Sequence, residues 1–312
     1  MFLDVSRDQL QPIQAPNQKR NPKHKEQKLR HAKFRNSAFA ARERLLLLGL
    51  FTRSTEIRKV PLTFVIGTAG SGKSLFTAAF SEWLKMGKQD VAVVNLDPGA
   101  LKLPYSPDVD VRNYVDVGNI MEKYGLGPNG ALIMAADLIA DEIENLTRDI
   151  EEAHADFVLV DTPGQMELFA FRASGPYIVN ELTREPKALI YLFDAVFSIN
   201  PLNYVSNMFL AAAVYNRFFQ PQLHVLSKTD LLPKKDVEAL ATWSANTRAL
   251  EDAIEEKLEG TKRLFSRNMM QAINKLGMQF LLMPLSSKTN EGMTNINTTL
   301  ERILNEGEKY TT

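Results

Sequence analysis

The chain has 312 residues, 45% of them hydrophobic, with 37 Lys/Arg balanced by 37 Asp/Glu, four histidines and no cysteine. Such a composition suits one large domain or two small ones, excludes disulfides, thiolate catalysis and cysteine-ligated zinc, and argues against a histidine metal centre. No apolar run comes near the roughly 18 residues of a membrane span. Leu45–Phe51 is far too short for one and lacks the cleavage signal of a secretory leader, so a cytoplasmic location is expected.

In chain order, the zero net charge first resolves into an asymmetry. Residues 1–60 hold 14 Lys/Arg against five Asp/Glu, a local charge of +9. Residues 1–59 form a basic N-terminal extension, poor in apolar surface over its first 36 residues and expected to be mobile, with a short amphipathic helix at 37–51. It reads as an electrostatic arm for nucleic acid or an acidic partner, as a solvated tail, or as sequence ahead of the true start. The folded domain is expected over 60–308.

From Val60 on, strand-like and helix-like segments alternate. Apolar strands are expected at 62–66, 91–95, 156–160, 187–193, 222–226 and 280–285. Helices are expected at 73–86, 131–153, 167–183, 202–218, 236–275 with a break near Gly260, and 293–306. Strands this uniformly apolar imply a mainly parallel sheet covered by helices on both faces, a three-layer α/β fold. The segment 98–130, rich in Pro, Gly and Asp, is long for a connection and is expected to be functional or an interface.

Motifs fall at the ends of these strands, where ligands bind in such sheets. The first strand runs into Gly67-Thr68-Ala69-Gly70-Ser71-Gly72-Lys73-Ser74 and then Leu75. Glycines let successive N–H groups converge on phosphates at a helix start. Lys73 offers a mobile charge to the β- and γ-phosphates, and the Ser74 hydroxyl suits Mg²⁺. Asn95-Leu-Asp97-Pro-Gly99 follows the second strand, where a carboxylate can hold Mg²⁺, directly or through water, or orient attacking water. Asp161-Thr-Pro-Gly164-Gln165 follows the third, with Asp161 as a Mg²⁺ support and the Gly164 N–H as a sensor of the γ-phosphate. Gln165, Asp97 and Glu167 are alternative water-positioners.

Ser227-Lys228-Thr229-Asp230 ends the fifth strand. A carboxylate at Asp230 can accept from guanine N1–H and the 2-amino group together, and adenine has no such donor pair on that edge. Two hydrogen bonds to a charged acceptor contribute roughly 3–6 kcal/mol, which selects GTP over ATP. The Lys228 stem can lie along the base. Ser286-Ser287-Lys288 fits a loop closing over the guanine, with Ser287 and Lys288 as its contacts.

The order and spacing match the guanine-nucleotide motifs of P-loop GTPases. Leu126-Gly127-Pro128-Asn129-Gly130, taken with Asn95–Gly99, Leu103-Pro-Tyr105, Asp108-Val-Asp110-Val-Arg112 and Asp161–Glu167, closely resembles the GPN-loop GTPases over residues 61–306. The likeness is greatest to the archaeal homodimeric type. That resemblance implies a P-loop NTPase fold, GTP and Mg²⁺ as ligands, and a homodimer. In it the Gly127-Pro128-Asn129 loop of one subunit would reach the γ-phosphate and attacking water of the other. Lys73, Asp97, Gln165 and Asn129 are then the candidate catalytic residues, and Ser74, Asp97 and Asp161 the candidate metal ligands. Flanking glycines are expected to let the tip turn tightly, while Asp108, Asp110 and Arg112 are expected either on the switch segment and partner or in a solvated loop. By family analogy alone, a large complex such as RNA polymerase would be the client of a GTP-driven assembly switch. A P-loop kinase or ligase, and a nucleic-acid binder regulated by GTP through residues 1–59, stay open as alternatives.

Overall fold

The computed structural model describes residues 60–306, so the expectations for residues 1–59, the helix at 37–51 among them, and for residues 307–308 lie outside the described residues. The strands are β1 Leu62–Gly67, β2 Val91–Asn95, β3 Val109–Asp110, β4 Phe157–Asp161, β5 Lys187–Asp194, β6 Gln222–Ser227 and β7 Leu282–Pro284. The first six helices are α1 Lys73–Met86, α2 Val117–Tyr124, α3 Pro128–Leu138, α4 Ile143–Glu152, α5 Glu167–Ala170 and α6 Ser174–Glu181. They are followed by α7 Ala195–Ser198, α8 Pro201–Phe218, α9 Lys234–Ala245, α10 Thr247–Lys257, α11 Gly260–Lys275 and α12 Met293–Glu306.

All seven strands pair in parallel in the order β3-β2-β4-β1-β5-β6-β7. The chain leaves β1 for β2 and returns to insert β4 between them. Val65 thereby pairs with Asp161, and the loops after β1, β2 and β4 open side by side at the carboxyl edge. This reversal of strand order beside β1 is where an open α/β sheet makes its binding crevice.

Side chains alternate across the sheet. Phe64, Ile66, Val94, Val158, Val160 and Tyr191 point to a large core under α2–α11. Val65, Leu159, Ile190, Leu192 and Val225 point to a smaller one under α1 and α12, against Phe76, Phe80, Leu84, Met293, Ile296 and Leu300. Each fully buried side chain of this size contributes roughly 1.5–3 kcal/mol. The three layers are therefore unequal, with two helices on one face and the rest on the other.

Several expected elements are redrawn. The helix expected at 131–153 begins at Pro128, whose ring suits a first helical position, and a 3₁₀ turn at Ile139–Glu142 divides it. The helix expected at 236–275 is three helices. The first break is at Asn246, extended and capping α10 by accepting from the N–H groups of Arg248 and Ala249; the second is at Leu258 and Glu259, also extended. This second break is the one expected near Gly260, which itself opens α11. The helix expected at 167–183 divides before Ser174, and a Cβ on Gly175 would lie 1.8 Å from the Phe169 carbonyl oxygen, so α5 and α6 meet too closely for any side chain there.

β3 went unforeseen because two residues carry no alternating pattern. It is pinned by side chains: Asn95 Nδ2 donates to Asp110 Oδ1 (3.0 Å) and the Val93 N–H to Asp108 Oδ2 (2.7 Å). The long 98–130 segment thus contains β3, a 3₁₀ turn at Val111–Asn113, α2 and the first turn of α3.

Candidate nucleotide site

Gly70 and Gly72 of the loop after β1 take φ of +75° and +96°, a left-handed conformation that L side chains rarely adopt. Gly72 is the N-cap of α1, no side chain caps that end, and its first turn carries no acid. The first N–H groups of α1 are thus left facing the crevice with the positive end of the helix dipole behind them, the arrangement an anion needs. The buried Lys73 folds back over the loop, donating to the carbonyls of Gly67 (3.0 Å), Thr68 (3.0 Å) and Gly164 (2.9 Å). Burial lowers its pKa, opposed by Asp161, Asp97 and Glu167. Ser71 is buried, Thr68, Gly72 and Ser74 are half-buried, and Ala69, Gly70 and Leu75 are exposed at the mouth.

Two carboxylates stand beside Lys73 with different partners. Asp97 uses both oxygens on backbone N–H groups, Oδ1 on Gly99 (2.9 Å) and Oδ2 on Gly164 (2.8 Å). Gly164 is thereby held by its N–H on Asp97 and by its carbonyl on Lys73. Asp161 is fully buried at the end of β4; Oδ2 accepts from the Tyr105 hydroxyl (2.8 Å) and Oδ1 has no hydrogen-bond partner among the described residues. Burial pushes its carboxyl up to about 6, against the pull of Ser74, Tyr105 and Lys73. A buried, unsatisfied carboxylate oxygen next to a serine hydroxyl is a hard-oxygen donor set that fits Mg²⁺. Gln165 is exposed, and no side-chain hydrogen bond is seen for it among the described residues.

The Asp110 and Arg112 pair is packed on the Asp97–Ala100 loop and is not fully solvated. Arg112 forks onto Asp110 and donates from Nη1 to the Ala100 carbonyl (2.7 Å), while Asn95 Nδ2 bridges Asp110 and the Asp97 carbonyl.

At the other end of the crevice, Lys228 sits at φ +61° and lays its ammonium on the Gly70 carbonyl (2.5 Å) and Asp194 Oδ2 (2.7 Å). Ser227 Oγ donates to the carbonyls of Ser71 (2.8 Å) and Phe193 (3.1 Å), tying β6 to the phosphate loop. Asp230 is exposed and turned by Ser286, whose hydroxyl donates to Oδ1 (2.9 Å). Ser287 is half-buried and Lys288 exposed next to it. Asp194, Tyr105 and Ser286 are the contacts that sequence reasoning did not assign. The first two reach the site over 34 and 56 residues, and only a carboxylate at the end of an apolar strand hinted at Asp194.

Gly127, Pro128 and Asn129 are exposed, and they begin α3 rather than form a free turn, with Gly127 as N-cap and Pro128 in the first turn. The flanking glycines do different work from that expected. Gly127 has φ −72°, open to any residue, and it is Gly125, at φ +61°, that ends α2 in the left-handed region. Leu132 of α3 packs on the Asp97–Gly99 loop, where a Cβ on Gly99 would meet its Cδ2 at 2.6 Å.

A family model described as a conserved hypothetical ATP-binding protein matches residues 65–306. The chain is 32% identical over 236 residues to the GPN-loop GTPase PAB0955 of Pyrococcus abyssi, covering 75% of this chain and 93% of that protein. This chain belongs to the GPN-loop GTPase family.

The crystal structure of PAB0955, described as a GTPase in apo form, superposes with a TM-score of 0.69 at 31% identity, covering 78% of this chain and 97% of that one. GPN-loop GTPase 1 of Saccharomyces cerevisiae is 29% identical over 257 residues, 78% of this chain and 66% of the yeast protein. The chain spans 46–66% of the length of the first curated relatives it matches. The phosphate loop, Asp97, Asp161 and Gly164 meet at one point, Asp230 stands toward the other end of the crevice, and Asn129 is exposed. Among the described residues no helix is long and apolar enough to cross a membrane.

Proposed function

We propose that the protein binds GTP with Mg²⁺ and hydrolyses it to GDP and phosphate, working as a homodimer whose shape follows the γ-phosphate. The observation that carries the reading is the double grip on Gly164: Lys73 on its carbonyl and Asp97 on its N–H. A γ-phosphate entering beside Lys73 competes for both, so the triphosphate state is written into the position of the segment after β4.

The loop and α1 N–H groups would bind the phosphates, and Lys73 would exchange carbonyl partners for phosphate oxygens. Ser74 and Asp161 would hold Mg²⁺, which supplies charge neutralisation across the β- and γ-phosphates. Asp97, released from Gly164, would orient the attacking water, with Gln165 as the alternative. Asn129 of the second subunit would donate to a phosphate oxygen and accept from that water. Asp230 would read guanine, with Lys228, Ser287 and Lys288 around the base. The biological role that fits such a switch is assembly of a large complex; RNA polymerase enters by family analogy alone.

Calorimetric titration with GTP and ATP tests the reading. GTP is expected to bind far more tightly, and Asp230→Ala to lower GTP affinity by roughly 10²–10⁴-fold, the equivalent of two charged hydrogen bonds, with ATP affinity unchanged. A wild-type protein indifferent to the base would overturn it.

A further inference from the structure

We propose that Asp137 and Arg172 are positioning residues that make the helix carrying Gly127-Pro128-Asn129 move as one body with the segment following Gly164. The inference deepens the GTPase reading and rests on it.

Asp137 lies at the far end of α3 from the exposed tip, roughly 14 Å along the axis at 1.5 Å per residue. There Arg172 Nε donates to Asp137 Oδ1 (2.9 Å) and Nη2 to Oδ2 (2.5 Å), and the Ser174 hydroxyl adds a third bond to Oδ1 (3.1 Å). Arg172 and Ser174 bracket the junction between α5 and α6, eight and ten residues past Gly164. The same junction is gripped from behind by Arg217 of α8, which donates to the carbonyls of Ala170 (3.2 Å) and Arg172 (3.3 Å). At its near end α3 carries Leu132 against the Asp97–Gly99 loop. One helix therefore touches both the loop that holds the Gly164 N–H and the segment that follows Gly164.

The pair is poorly suited to a purely stabilising role. Its side chains are 33% and 48% exposed, and ion pairs that wet contribute little to stability. What a two-point fork provides is a fixed angle as well as a fixed distance. Without it, α3 could slide or rotate on the apolar contacts of Ala131 and Ala135 while the switch segment moved, and the tip would lose register with the nucleotide it serves.

Four variants test the link in the full chain: Asp137→Ala, Arg172→Ala, Arg172→Lys and the exchanged pair Asp137→Arg with Arg172→Asp. Turnover at saturating GTP is expected to fall roughly 3- to 30-fold in both alanine variants, with KM for GTP, GDP affinity and the thermal midpoint held. Arg172→Lys keeps the charge and loses the fork, so it is expected to behave like the alanine variant. The exchanged pair is expected to recover most of the rate. Wild-type turnover in the alanine variants, full activity in Arg172→Lys, or losses that merely track a lower thermal midpoint would each overturn the link while leaving the GTPase reading intact. A wild-type protein without GTP turnover would overturn both.

Discussion

Burial pushes the Asp161 carboxyl up to about 6 because its charge sits dry at the end of β4 with one oxygen unbonded. The folded protein thus binds more protons than the unfolded chain between about pH 4 and pH 6. Stability from this group is greatest below that window and is lost as pH rises through it, by roughly 3 kcal/mol. His224 works the opposite way: burial lowers its pKa to about 4, so its contribution is present at neutral pH and lost as pH falls toward 4. Asp161→Asn keeps an acceptor for Tyr105 and removes the charge, and comparing it with wild type cancels the histidine. The variant is expected to melt about 5 °C or more above wild type at pH 7.5, with the gap closing near pH 4, and to lose the Mg²⁺-dependent part of nucleotide affinity. Scanning calorimetry over pH checks the first point and titration with and without Mg²⁺ the second. Residues such as Lys73 and Asp97 were legible as site residues because their motif neighbours are consecutive. Tyr105 and Ser286 were not assigned, since a hydroxyl that bonds a carboxylate 56 residues away leaves no local mark.

Among the elements, α3 best separates pattern from context. Its sequence says proline near a glycine, which reads equally as a turn or as a helix start. Packing decided for the helix: Ala131 and Ala135 are fully buried beneath it while Pro128 and Asn129 stay in solvent. Because Asn129 is exposed and no side-chain hydrogen bond is seen for it among the described residues, Asn129→Ala should change stability by less than about 0.5 kcal/mol. Turnover is expected to fall roughly 10- to 100-fold, below the 10³–10⁵ supplied by an arginine in trans, with GTP affinity kept. Single-turnover kinetics alongside calorimetry would detect either failure: a rate like wild type, or a binding defect. The break at Asn246 was missed for a related reason. Asn246 is an ordinary polar residue in a helical pattern, and only the bend of α9 into α10 around Trp243, Leu250 and Ile254 makes it a corner.

On the scale of the whole molecule, the proposed homodimer would use the exposed tip of α3 to complete the site of a second copy. Mixing Asn129→Ala with Lys73→Ala subunits should therefore restore activity, because the heterodimer joins one intact phosphate loop to one intact tip. Random mixing predicts about a quarter of the wild-type rate. No recovery, together with a particle that stays monomeric by light scattering when saturated with a non-hydrolysable analogue, would refute catalysis in trans.

The sequence by itself determined the kind of sheet, the phosphate loop and the family, since each depends on residue type at short spacing: uniformly apolar strands, glycines in a turn, acids at strand ends. Tertiary structure decided which of those residues hold one another. The insertion of β4 between β2 and β1 brings Asp97, Asp161 and Gly164 beside Lys73, and the crossing of α3 over the junction of α5 and α6 joins Asp137 to Arg172. Such contacts are set by strand order and helix packing, which are properties of the assembled chain and have no counterpart in any single stretch of it.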